Sequence, residues 1–157
     1  MIISHVELDE VDRRILNALQ NNAALTNAEL ASLVHVSAPT CLRRVKQLTD
    51  SGVIARQVAI VAPEKVGVRL TAIVEITLDV QAVERMEEFE QHVAGDEAVL
   101  QCYRVAPGPD FVLVIQVADM PAYNALAHRL FASSANVRNV RTYFSTLRSK
   151  FETRIAV

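Results

Sequence analysis

Arg43, Arg44 and Lys46 fall within four residues of one another, preceded by Ser37, Pro39 and Thr40 and followed by Gln47. Those residue types together suit one kind of chemistry. Short polar side chains let a backbone come close to base edges in a DNA groove, and Arg or Lys can then reach guanine edges or phosphate oxygens. The same cations on a lone solvated helix would carry no meaning. What matters is whether the surrounding sequence builds an element that presents them on one side.

The stretch that carries them, residues 26–52 (TNAELASLVHVSAPTCLRRVKQLTDSG), holds two adjacent helix signals. Thr26 and Glu29 fit a capping box, in which each side chain serves the other's backbone N–H, and Leu25 with Leu30 adds a hydrophobic staple. Ser37 offers a second N-cap, Pro39 is tolerated in a first turn, and Gly52 stands where a left-handed residue ends a helix. At about 100° per residue, Cys41, Val45 and Leu48 form a buried seam. Pro39, Arg43, Lys46 and Asp50 point away from it, Thr40 and Gln47 lie on one shoulder, and Arg44 flanks the core. Two capped helices separated by a turn of about three residues, the second cationic outside, are the pattern of a helix-turn-helix that reads double-stranded DNA. Ser37, Pro39, Thr40, Arg43, Arg44, Lys46 and Gln47 are its expected DNA-facing residues.

Composition confines the other readings. The chain has 157 residues, 51% of them hydrophobic, and a formal charge of −2, so attraction to nucleic acid has to be local. Residues 37–57 supply it, with Arg43, Arg44, Lys46 and Arg56 against Asp50 alone. Cys41 and Cys102 lack metal or disulfide spacing and sit in apolar patterns, which suits a reducing cytoplasm. The stretch MIISHVELDEVD has neither the basic nor the long apolar region of a leader, and the apolar run at 111–117 is too short to span a bilayer, so no membrane association is expected. His5, His35, His92 and His128 are scattered, and the glycines at 52, 67, 95 and 108 form no phosphate-binding loop. Neither a catalytic residue, a metal site nor a cofactor is expected. Glu84, Glu87 and Glu88 read as the solvated face of a helix.

Along the chain, a helix is predicted near 9–21, with Asp9 as N-cap and Val11, Ile15, Ala18 and Leu19 on one face. Residues 53–61 read as extended and 63–67 as a punctuated linker. The expected organisation is a winged helix-turn-helix at 1–60, a linker at 61–68 and a second domain at 69–157. In that domain residues 70–79 alternate with period two, 82–94 turn helical, 98–106 and 111–118 are strands joined by Pro107, Gly108, Pro109 and Asp110, and a helix from Asp119 and Pro121 precedes a β-rich stretch at 137–147. Strand, helix, strand, strand, helix, strand predicts a ferredoxin-like βαββαβ sheet with helices on one face, and an α+β protein overall. The strand at 111–118 is apolar on both faces, so its uncovered face calls for a partner. Another copy of the sheet is the most economical one, and a homodimer would supply two reading helices for two half-sites.

LDEVDRRILNALQNNAALTNAELASLV, VSAPTCLRRVKQLTDSGVI and VLQCYRVAPGPDFVLVI together resemble the Lrp/AsnC, or feast/famine, family of prokaryotic transcription regulators, over nearly the whole chain. The resemblance implies a ligand-sensing domain that dimerises through its sheets, frequent assembly into octamers, and a small effector such as an amino acid bound where dimers meet. It places the effector at the second-domain hairpin, at Tyr103, Ala106, Pro107, Gly108, Asp110 and Thr142, with Asp110 as partner of the ammonium group; as a residue type at that position Asp110 equally suits a cap of the turn. The family's usual hairpin pattern, Val-Thr-Gly-x-x-Asp, is here Val105-Ala106-Pro107-Gly108-Pro109-Asp110. Proline has no N–H. Donors to an α-carboxylate are thereby reduced to Gly108, Asp110 and Phe111, which points to weaker binding of simple amino acids, a different effector or an idle site. Two other readings share the architecture: a sirohaem decarboxylase-like enzyme using His or Arg around a tetrapyrrole, and an architectural protein that wraps DNA with little sequence preference.

Overall fold

The structure is a computed structural model and describes residues 6–157; His5 and the rest of residues 1–5 lie outside the described residues. The chain forms two compact units, residues 1–60 with 150–157, and residues 61–149.

Three helices make the first unit: α1 (Glu10–Asn21), α2 (Asn27–Val34) and α3 (Ala38–Asp50). Each start is fixed by a local hydrogen bond. The Asp12 N–H donates to Asp9 Oδ1 at 2.9 Å and the Asp9 N–H to Asp12 Oδ2 at 3.2 Å, a capping box in which Asp12 takes the part of the usual Glu. The expected box at α2 is present: the Thr26 N–H donates to Glu29 Oε2 at 2.7 Å, and the Glu29 N–H to Thr26 Oγ1 at 3.3 Å. An eight-residue helix is marginal alone, so such caps and tertiary packing carry it. It ends at His35, whose φ of 58° is left-handed, while the Val36 N–H returns to the Ala31 carbonyl at 3.0 Å. Gly52, at φ 76°, follows α3 as the sequence predicts. Ile15, Leu16, Leu30, Val34, Cys41 and Leu48 form the core, and Val53 and Ile54 pack against it. Those two residues are therefore not the start of an extended element, and no strand is formed by residues 53–61.

The last residues depart from the expected domain limits. Gln20 on α1 grips Ile155 at two points, its Nε2 donating to the Ile155 carbonyl at 3.1 Å and its Oε1 accepting from the Ile155 N–H at 2.8 Å. Arg154 donates to Asn21 Oδ1 at 2.7 Å, and Val157 packs on the helical core. Residues 150–157 thus complete the first unit rather than the second. A side-chain amide reproduces the donor and acceptor of a neighbouring strand, which is how an extended segment without periodicity of its own becomes fixed.

The second unit runs β1 (Leu70–Leu78), α4 (Val83–Ala94), β2 (Val99–Arg104), β3 (Phe111–Val117), α5 (Met120–Ala127) and β4 (Val137–Phe144), with every strand pair antiparallel and the order β2-β3-β1-β4. This is the expected ferredoxin-like arrangement. Ala72, Val74, Ile76, Phe111, Leu113 and Ile115 alternate onto the helix side and are fully buried, with Phe89 of α4 against Phe111, ring centroids 4.9 Å apart. Asp119 caps α5, which continues as a π-helical turn, His128–Ala132, that buries Leu130 and Phe131. The other face carries Ile73, Tyr103, Val112, Val114 and Tyr143, of which Ile73, Tyr103 and Tyr143 are 41%, 52% and 46% exposed. No helix among the described residues is long and apolar enough to cross a membrane.

Candidate functional site

Two places answer to the sequence-predicted residues, one in each unit. In the first, α3 is located by α2 and by its own cap. Asn27 Nδ2 donates to the Ala38 carbonyl at 2.9 Å, tying the start of α2 to the start of α3. The Ser37 hydroxyl donates to Thr40 Oγ1 at 2.8 Å and accepts from the Thr40 N–H, so both short polar groups are held at the N-terminal end. With Cys41 and Leu48 buried, Pro39, Arg43, Lys46 and Gln47 are exposed together. Lys46 Nζ lies 2.6 Å from Asp50 Oδ2 in a pair open to solvent, which holds it weakly. Arg43 has no ion pair among the described residues. This surface, short and neutral at one end and cationic further on, is the one that major-groove reading requires.

Arg44 departs from the expected set. Its Nη1 lies 2.5 Å from Asp9 Oδ2 and 3.1 Å from Asp12 Oδ1, and its side chain is only 25% exposed. The wheel places it beside the core, and the acids at the start of α1 draw it inward rather than to the outer surface. Asp9 is held below the ordinary carboxylate range, first by the Asp12 N–H and then by Arg44, while the two carboxylates raise Arg44. Sequence reasoning missed Leu42, which is 61% exposed on the outer half of α3. Its exposure follows from the same wheel, on which it stands about 100° from Cys41.

In the second unit the hairpin between β2 and β3 holds Ala106, Pro107 and Gly108 at the surface, with a cis Ala106–Pro107 peptide and Gly108 at φ 124°. Asp110, expected either to partner an ammonium group or to cap the turn, is bonded into the sheet. It is 7% exposed, its N–H donates to the Ile76 carbonyl at 2.8 Å, and its Oδ2 accepts from the Leu78 N–H at 2.7 Å. The side chain acts as an extra rung between β3 and β1 beyond their last paired residues. Its N–H is therefore also withdrawn from the donors expected for an α-carboxylate. Tyr103 stands on the open face of β2, its hydroxyl donating to Gln101 Oε1 at 3.1 Å. Thr142 is on the helix side of β4, hydrogen-bonded to the Tyr123 hydroxyl. Since β2 and β4 are opposite edges of the sheet, Tyr103 and Thr142 do not meet in one protomer. A separate cleft of about 590 Å³, lined by Gly95, Asp96, Glu97, Ala98, Val117 and Arg129 among others, lies against the N-terminal end of β2. Asp96 and Arg129 in its lining are paired with each other, and Arg129 lowers the Asp96 pKa.

Comparison with known proteins finds a match for each unit. A model of the Lrp/AsnC ligand-binding domain matches residues 71–155, and one of a winged helix-turn-helix DNA-binding domain matches residues 8–55. Over 137 residues the chain is 37% identical to an uncharacterised HTH-type transcriptional regulator of Haemophilus influenzae, covering 87% of this chain and 82% of that one. It is 35% identical over 137 residues to the leucine-responsive regulatory protein of Escherichia coli, covering 87% and 84%. Among solved structures, a transcriptional regulator of Neisseria meningitidis in complex with L-Met superposes with a TM-score of 0.89 at 32% identity, covering 95% of this chain and 96% of that one. An AsnC family regulator of Agrobacterium tumefaciens gives 0.89 at 32%, covering 94% and 96%. With a DNA-reading helical unit and a ligand-binding ferredoxin-like unit on one chain, the protein belongs to the Lrp/AsnC family of transcriptional regulators.

Proposed function

We propose that this regulator recognises a specific DNA sequence through α3, and that a small effector of amino-acid type, bound by the second unit, alters that recognition. The observation that carries the reading is the outer face of α3: Ser37, Pro39 and Thr40 at the end that approaches base edges, Arg43, Lys46 and Gln47 beyond, and Leu42 beside them as an apolar group suited to a thymine methyl. Arg43→Ala should weaken binding to the preferred duplex by about ten- to a hundredfold if its guanidinium reads a base, and Lys46→Ala should weaken all sequences about equally. Electrophoretic mobility shifts with a duplex enriched by the wild type from a random library, against a scrambled duplex, test both. Unaltered affinity for the preferred duplex in folded Arg43→Ala removes Arg43 from the interface.

For the effector, the regulator of Neisseria meningitidis solved with L-Met makes L-methionine the first probe. Of the loop donors, the Gly108 N–H is the one best placed at the exposed turn, and Tyr103, Ala106 and Pro107 would line the approach. With Tyr103 and Thr142 on opposite edges, a site holding both requires residues from more than one protomer. A second copy covering Ile73, Val112, Val114 and Tyr143 gives the dimer, and further association of dimers gives the octamer. The protein works in the cytoplasm, and no catalytic step is assigned to it, in line with the regulators it resembles.

A further inference from the structure

The reading surface has to be aimed as well as built, and the apolar seam of α3 does this poorly. Apolar attraction along Cys41, Val45 and Leu48 has no preferred direction, and the bond from Asn27 to the Ala38 carbonyl ties only the first turn of the helix. With side chains the helix has a radius of about 5–6 Å, so a rotation of about 10° shifts an outward group by about 1 Å. That is enough to spoil a base contact, whose geometry tolerates shifts of only about 0.5 Å.

A directional contact is present. Arg44 Nη1 meets Asp9 Oδ2 at 2.5 Å and the two Asp12 oxygens at 3.1 and 3.2 Å. The carboxylates have anchors independent of Arg44, since Asp9 and Asp12 bond each other's backbone N–H in the first turn of α1. Asp12 is 8% exposed, deep enough for its charge to require a partner. Arg44 adjoins Arg43 in the chain, so whatever fixes the direction of Arg44 fixes that of its neighbour about 100° further round the helix.

We propose that Arg44 is a positioning residue for DNA reading: the carboxylate pair Asp9 and Asp12 grips its guanidinium and sets the rotation of α3, while Arg44 itself makes no contact with DNA. This rests on the reading of α3 as the recognition helix. Sequence selectivity then depends on two acids that DNA never touches. Simple electrostatics has the opposite sign, because removing an acid near a polyanion should tighten binding to every sequence.

The closing experiment uses that sign. Affinities of the full chain and its Asp12→Asn, Arg44→Lys and Asp12→Asn/Arg44→Lys variants are measured for the duplex enriched by the wild type and for a scrambled duplex of equal length. Enrichment of one sequence by the wild type tests the recognition-helix reading; the ratio of the two affinities in the variants tests the clamp. The expected result is a ratio about tenfold lower in each single variant, with scrambled-duplex affinity unchanged or higher in Asp12→Asn, and no further loss in the double variant, since both changes break one contact. Arg44→Lys, which keeps the charge, should leave the salt dependence on scrambled duplex as in the wild type. An Asp12→Asn ratio equal to or above that of the wild type overturns the proposal, as does an Arg44→Ala variant whose plot of log affinity against log salt loses about one unit of slope, the mark of a lost phosphate contact. Melting curves confirm the fold, and if Asp12→Asn does not fold, Arg44→Lys and Asp9→Asn decide by the same ratio.

Discussion

Asp110→Ala strips a buried donor of its acceptor. The Leu78 N–H bonds Asp110 Oδ2 at 2.7 Å, and Leu78 is 1% exposed, so water has little access to replace the carboxylate. Leaving such a donor unpaired costs roughly 1–3 kcal/mol. The bond from the Asp110 N–H to the Ile76 carbonyl is made by the main chain and survives, so no second loss is added. In a unit the size of residues 61–149, 1 kcal/mol corresponds to roughly 4–8 °C, so the melting point should fall by roughly 5–20 °C. Asp110→Asn keeps an oxygen for the Leu78 N–H and should cost less than about 1 kcal/mol. The assay has a built-in reporter: the three tyrosines, at 103, 123 and 143, all belong to this unit, and the chain has no tryptophan, so near-ultraviolet tyrosine dichroism follows this unit alone. Melts are compared at one protein concentration, because self-association shifts the midpoint. Asp110→Ala melting within about 2 °C of the wild type would refute the structural role. The Asn variant separates the alternative. Were Asp110 the anchor for an effector ammonium, Asp110→Asn would keep its melting point and lose L-methionine binding by calorimetry.

Two further outcomes follow from the fold. Val114→Lys, on the open face of β3, should leave the unit folded and reduce the light-scattering mass to that of a monomer, whereas Ile115→Lys, one residue on and fully buried against the helices, should unfold it; a folded Val114→Lys that keeps the wild-type mass places the interface elsewhere. Gln20→Ala removes both bonds to Ile155 and should cost about 1 kcal/mol or less at that exposed site, while speeding amide exchange across residues 150–157; exchange equally fast in the wild type means the segment is not docked.

What could be seen in the sequence was what neighbouring residues decide among themselves. The capping box of Thr26 and Glu29, the Ser37 cap and the stop at Gly52 each involve partners within a few positions, and each lies where expected. The alternation in 70–78 and 111–117 likewise fixed which side chains face the helices, because a pleated strand leaves no third direction. Thr142 stands apart from the hairpin within one protomer for the complementary reason: its neighbours are set by pairing with Val74 on the adjacent strand, and nothing in VRNVRTYF encodes that register. Asp110 shows the same limit at closer range. As a residue type after Pro-Gly-Pro it suits either a turn or an exposed anion, and only the arrival of Leu78, 32 positions earlier in the chain, decides between them.

Arg44 carries this furthest, since its type is the one most readily assigned to DNA. A wheel gives the direction of a side chain from its own helix and says nothing about what stands in that direction. Arg43 and Arg44 differ by about 100°, and that angle is the difference between solvent and two acids 35 and 32 positions away. Those acids had an evident local purpose as the cap of α1, which hid a second one. Because Asp9 and Asp12 satisfy each other's backbone, they stand rigid with oxygens to spare, and a cation that reaches them gains a fixed direction at small entropic cost. A capping box of two aspartates at i and i+3, followed by a helix-turn-helix with paired arginines on its second helix, is therefore a pattern from which the inward arginine can be chosen: the one on the shoulder beside the apolar seam, with the outward one left to read.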